Sequence, residues 1–140
     1  MTKKIFILIL ILIFGFGAYL YLSMAAKEKT TVSLGDVYVR VFNLEPGAVV
    51  KSPMEIRGEA RGSWYFEASF PIKIYDSNGT LLGTAIAQAE SDWMTEDFVP
   101  FNTTLTFSTP TTTTGQLVFK KDNPSGLPQN DAEFKIPVKF

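Results

Sequence analysis

Between Trp64 and Asp76 the apolar side chains fall on every second position. Trp64, Phe66, Ala68, Phe70, Ile72 and Ile74 share one parity, while Tyr65, Glu67, Ser69, Pro71, Lys73 and Tyr75 share the other. Successive side chains of a strand point to opposite faces, so this pattern predicts one long, half-buried β-strand with an aromatic inner face. The same period recurs on both sides. Residues 36–44 set Val37, Val39 and Val41 against Tyr38, Arg40 and Phe42. A second strand is predicted over residues 48–58, interrupted at Ser52-Pro53, where proline lacks a ladder donor and marks a bulge or an edge. Asp76-Ser77-Asn78-Gly79 has the chemistry of a hairpin turn.

Further along, residues 80–90 form a weakly patterned, alanine-rich strand. Residues 98–108 align Val99, Phe101, Thr103, Leu105 and Phe107 on one face. Residues 116–121 turn Leu117 and Phe119 inward, and residues 132–140 align Phe134, Ile136, Val138 and Phe140. Glu45-Pro46-Gly47 and residues 91–97, 109–115 and 122–131 read as turns and loops. Seven short strands, with no amphipathic helix after residue 27, predict an all-β fold. An immunoglobulin-like β-sandwich over residues 36–140 is the leading architecture, and a small barrel fits the same pattern.

The first 26 residues follow a different rule. Lys3 and Lys4 precede an uncharged apolar run over residues 5–22. As a helix that run is roughly 27 Å long, close to the hydrocarbon thickness of a bilayer. A signal-anchor transmembrane helix is expected, with Tyr19 and Tyr21 at its exit; a signal sequence cleaved after Ser23-Met24-Ala25 is the competing reading. Both place the domain outside the cytoplasm, single-pass and membrane-bound in the first case, secreted in the second. Residues 27–35 read as a short polar tether.

Composition narrows the chemistry. Aromatic residues make up 14% of the chain, which suits packed sheets. There is no Cys and no His, which removes disulfides, thiolate nucleophiles, the commonest general base and the usual zinc ligands. An enzyme is not expected. Beyond residue 26 the chain has 11 basic and 14 acidic side chains, so it lacks the charge for nucleic-acid binding.

Candidate sites remain. Arg61 and Glu67 flank the Trp64 segment as a charged recognition spot, or as an internal ion pair or hydrogen-bonded corner where the chain bends, and Gly58 and Gly62 relieve crowding at a bend or bulge. Trp64, Tyr65 and Trp93 are candidates for an aromatic platform, but parity places Trp64 and Phe66 in the core. Arg61, Trp64, Phe66 and Glu67 are therefore read as structural. The expected partner surface is Tyr65, Lys73 and Tyr75 with Trp93. Asp122, Asn123 and Asp131, near Glu133, offer oxygen ligands of the kind calcium prefers, at a spacing that matches no EF-hand loop. Glu90, Asp92, Glu96 and Asp97 form an acidic loop around Trp93. Asn78-Gly79-Thr80 and Asn102-Thr103-Thr104 fit the glycosylation pattern. No catalytic, cofactor-binding or metal residue is assigned, and no cofactor is expected.

Several segments together resemble the Gmad-type immunoglobulin-like domain of bacterial spore germination proteins. They are Glu45-Pro46, Val50-Lys51-Ser52-Pro53, Gly58-Glu59-Ala60-Arg61, Trp64-Tyr65-Phe66-Glu67 and Asp76-Ser77-Asn78-Gly79. Trp93, the strand over 98–107, Gly115, Asp122-Asn123-Pro124-Ser125-Gly126 and Ile136-Pro137-Val138-Lys139-Phe140 complete the match. The resemblance covers about residues 36–140. It implies an exported bacterial Ig-like module with no catalytic residues to carry over. The expected function is a membrane-tethered, extracytoplasmic binding or structural module of the cell envelope, contacting an envelope protein or cell-wall partner. The alternative is a peptidoglycan- or carbohydrate-binding domain that uses exposed aromatic side chains.

Overall fold

A computed structural model describes residues 37–140. The expected membrane segment and tether lie outside these residues. Among the described residues no helix is long and apolar enough to cross a membrane. Eight strands form, one more than the sequence pattern predicts: β1 Val39–Val41, β2 Ala48–Val49, β3 Met54–Arg61, β4 Ser69–Asp76, β5 Leu81–Ala89, β6 Phe98–Leu105, β7 Thr114–Lys120 and β8 Glu133–Lys139. The extra strand arises because the expected strand over 48–58 is two. Around Ser52-Pro53, where the ladder loses a donor, β2 ends and β3 begins, and the two pair with different partners.

The strands form one continuous ladder in the order β1-β3-β6-β5-β4-β7-β8-β2. All neighbours are antiparallel except β2, which runs parallel to β8. Phe101 on β6 and Phe119 on β7 stand three ladder steps apart, about 14 Å in a flat sheet at ~4.8 Å per step. Their ring centroids are 6.3 Å apart. The ladder therefore folds over on itself, so that β1, β3 and β6 face β4, β7 and β8. Strand β5 makes the corner. It pairs with β4 from Leu81 to Gln88, then passes Gln88 and Ala89 to β6. Consecutive strands β1 and β2 end up at the two extremes of the ladder, each short, which limits the exposed edge.

The interior is the alternation made physical. Phe70, Ile72 and Ile74 of β4, Phe101 and Leu105 of β6, and Leu117 and Phe119 of β7 are fully buried. Aromatic rings run through the interior: Tyr65 to Phe70 at 5.0 Å, Phe70 across the two layers to Phe101 at 5.1 Å, and Phe119 to its cross-strand neighbour Phe134 at 5.7 Å. The first two are edge-to-face, and such pairs are worth about 0.5–1.5 kcal/mol beyond the area they bury.

The expected single strand from Trp64 to Asp76 does not form. Gly62–Trp64 is a turn of 3-10 helix, and the chain then reverses tightly. Phe66 and Ser69 exchange both backbone hydrogen bonds, at 3.0 and 3.1 Å, enclosing Glu67 and Ala68. Those two residues take φ of +49° and +60°, the left-handed pair that a two-residue hairpin needs. Strand β4 begins only at Ser69. Alternation counts positions along a straight strand, so a reversal hidden inside the run resets the faces. Tyr65 turns inward and Phe66 turns outward, at 3% and 38% exposure. Both are corrections to the parity reading.

Candidate functional site

The Gly62–Trp64 turn gathers two loops at one end of the sandwich. Gly62 allows the approach, because a Cβ there would stand 2.0 Å from the carbonyl oxygen of Thr95 and 2.3 Å from that of Trp93. The Gly62 amide donates to Asp97 O at 3.0 Å, and the Arg61 guanidinium donates to Glu96 O at 3.1 Å. On the other side the Asp122 amide donates to Trp64 O at 3.0 Å. Residues 91–97 and 122–131 are thus both tied to the turn by backbone hydrogen bonds.

Trp64 is held at the bottom of this assembly, 3% exposed. Its indole Nε1–H meets no acceptor among the described residues. Buried polar groups nearly always have a partner, so this one is conspicuous. Tyr38, just before β1, leans on the indole with centroids 6.0 Å apart and planes at 31°, and is itself half-exposed. A cleft of about 260 Å³ opens here between Tyr38, Trp64, Lys121 and the 3-10 turn Pro128–Asn130 with Asp131. The loop is internally braced. Asn123 donates its amide to Leu127 O at 2.9 Å and to Asp131 Oδ1 at 2.7 Å, and Asn130 donates to Ser125 Oγ at 2.9 Å.

The residues expected to form a partner surface do not do so together. Tyr65 is interior, its hydroxyl donating to Val99 O at 2.7 Å; burial pushes the phenol well above its ordinary titration range. Lys73 and Tyr75 are half-buried on the outer face of β4. Lys73 lies opposite Val118, which in turn lies opposite Lys135, so two lysine stems flank a buried valine. Trp93 is half-buried against the core. Arg61 does not pair with Glu67. Its guanidinium lies 4.1 Å from the Phe98 ring centroid, and that of Arg40 lies 3.9 Å from the same centroid. Arg40 also bridges to Glu59 at 2.8 Å.

The acidic residues do not converge on an ion. Among the described residues no group of three His, Cys, Asp or Glu side chains is placed to hold a metal. Asn123 turns its amide hydrogens, not its oxygen, toward Asp131, so that pair is loop bracing. Glu90, Asp92, Glu96 and Asp97 are all exposed, and Asp92 caps a turn through the Met94 amide. At the far end of the sandwich Asp76 is the one buried charged residue of the described region, 3% exposed. Its carboxylate accepts from the Asn78 and Thr80 amides at 3.0 and 2.8 Å and from the Thr111 hydroxyl at 3.0 Å. The Thr80 amide foremost, with the other donors, holds its pKa below the ordinary aspartate value.

The alternation sets Tyr38 on the face opposite Val37, Val39 and Val41 and says nothing more of it. Gln129 and Asn130 had no signal in a turn-rich stretch, because what gives them meaning is the approach of the Trp64 turn from 65 residues earlier.

A ladder folded into two facing layers, with loops gathered at its ends, is the architecture of an immunoglobulin-like module. Residues 38–127 match the family described as the immunoglobulin-like domain of bacterial spore germination, and the chain belongs to that family. The match takes in β1 through β7. No curated protein and no solved structure matches the chain.

Proposed function

We propose that this chain is a membrane-tethered, extracytoplasmic Ig-like module of the bacterial cell envelope, and that it binds a partner without catalysis. The observation that carries this reading is the pairing of the family domain with the apolar run over residues 5–22, preceded by Lys3 and Lys4. An uncharged stretch of that length with basic residues before it is suited to span a bilayer and to leave the following domain outside. The braced end loops are the surfaces on which a sandwich presents contacts, since rigid strands position them. The lack of His and Cys throughout the chain supports a binding role.

A fusion of a reporter enzyme that is active only outside the cytoplasm to the C-terminus of the full chain tests the topology. Activity in the membrane fraction, with the domain digested by protease added to spheroplasts, is the expected result. A protected domain with an inactive reporter overturns the reading. Deleting residues 36–140 while keeping the N-terminal segment is expected to abolish retention of envelope components on the immobilised protein. Equal retention by the N-terminal segment alone overturns the binding role.

A further inference from the structure

We propose that the cleft beside Trp64 is a sugar-binding site that takes one pyranose ring of a polysaccharide, with a sugar oxygen accepting from the indole Nε1–H. The inference rests on the reading of the domain as a binding module and names its ligand class. Its starting point is the buried indole donor with no acceptor among the described residues. An oxygen brought by a ligand completes that hydrogen bond, and the preference of buried polar groups for a partner then works in favour of binding. Tyr38 lines the cleft, half-exposed and tilted against the indole, and in the proposed complex it shifts to admit the ligand oxygen.

The remaining chemistry fits a hydroxylated ring. Such a ring has an apolar C–H face for an aromatic wall and a rim of hydroxyls that both donate and accept. The cleft is lined by the aromatic side chains of Tyr38 and Trp64 together with the polar ones of Lys121, Gln129, Asn130 and Asp131. One cation and one carboxylate leave it close to neutral, which suits an uncharged ligand. A volume of about 260 Å³ accommodates a single ring and not a folded partner.

An extended peptide fits less well. Peptides commonly dock by adding a strand to an open edge, through main-chain hydrogen bonds. Here three of the lining amides are already used: Lys121 N donates to Ala132 O, Asn130 N to Leu127 O and Asp131 N to Pro128 O, at 2.9 to 3.1 Å. The polar side chains of Lys121, Gln129, Asn130 and Asp131 are the groups a sugar would read.

The test is a titration of the full chain in detergent micelles, labelled at the tryptophan indoles, with the trimer of N-acetylglucosamine followed by nuclear magnetic resonance. The two indole signals are assigned with Trp93→Phe. The Trp64 indole proton is expected to shift and saturate, while that of Trp93 stays in place. Tyr38→Ala, at a half-exposed position, is expected to weaken the apparent Kd at least tenfold with the fold intact. Trp64→Phe, which keeps an aromatic ring but removes the donor, is expected to lose binding if it folds. Lys73→Ala is the control that leaves the titration unchanged.

A Trp64 signal unmoved by the trimer and by soluble wall glycan at millimolar concentration overturns the proposal, as does unchanged affinity in Tyr38→Ala. A wall peptide that shifts Trp64 where the glycan does not also overturns it. If envelope retention by the full chain survives such a result, only the sugar site has failed. If retention is lost as well, the binding-module reading fails with it.

Discussion

The hydroxyl of Tyr65 donates to the carbonyl of Val99 at 2.7 Å, joining the tight turn before β4 to the start of β6 inside the core. This bond satisfies the hydroxyl of a residue that the reversal at Glu67 and Ala68 carries indoors. The phenol brings its own donor into the interior and spends it on a backbone acceptor, while its ring packs edge-on against Phe70. Replacing Tyr65 by Phe keeps the ring and leaves the carbonyl short of a partner. The expected cost is about 1–2 kcal/mol, read as a lower urea midpoint with an unchanged slope. A midpoint equal to that of the parent would show that the bond is without consequence.

Gly62 and Gly79 are glycine for different reasons, and alanine substitution separates them. At Gly62 the obstacle is backbone, the Thr95 and Trp93 carbonyls, which do not move aside cheaply. At Gly79 nothing lies within 4 Å, but φ is +83°. Gly62→Ala is expected to destabilise by on the order of 2–3 kcal/mol and to shift the indole resonance of Trp64. Gly79→Ala is expected to cost about 1 kcal/mol and leave Trp64 undisturbed. Thermal melts combined with the indole spectrum distinguish the two outcomes.

Asp76 makes stability depend on acid. Its folded-state pKa lies below the ordinary value of 3.8, because the Thr80 and Asn78 amides and the Thr111 hydroxyl all donate to the ionised form. A depressed pKa means that the stabilisation is fully present above 3.8 and is lost as pH falls through the lower, folded value. Glu133, held low chiefly by Lys135, acts in the same direction. Asp76→Asn removes only the first contribution. The variant is expected to melt lower than the parent at neutral pH, with the gap closing below pH 3.8. A gap that is constant with pH would assign the effect to packing.

Arg61 tests the planar guanidinium on Phe98. Lysine keeps the charge but not the flat stack or the fork that reaches Glu96 O. Arg61→Lys is expected to cost about 0.5–1 kcal/mol. The same substitution in a Phe98→Leu background is expected to cost less, and equal losses in both backgrounds would rule out a ring contribution.

Much of the fold was legible because burial and period agree wherever a strand is straight. Val39, Phe70, Ile72, Ile74, Phe101, Leu105, Leu117 and Phe119 are inward by alternation and inward in three dimensions. The reversal at Glu67 and Ala68 was hidden because neither residue is the Gly or Asn that usually announces left-handed φ, and the apolar alternation runs unbroken through them. For the same reason Tyr65 and Phe66 exchanged faces. The cleft at Trp64 was less legible still. Its walls come from Tyr38, the 62–64 turn and residues 121–132, and local patterns do not report which distant segments meet.

The sequence by itself determined an all-β chain, the inward faces of the straight strands, the family and the absence of His and Cys side chains, since these depend on residue type and on period along the chain. The tertiary structure decided how the ladder folds over, which way the Trp64–Asp76 stretch turns, and that Trp64, with its buried indole N–H, lines an open polar cleft. Those follow from contacts between residues far apart in the chain, which the period of a single strand does not encode.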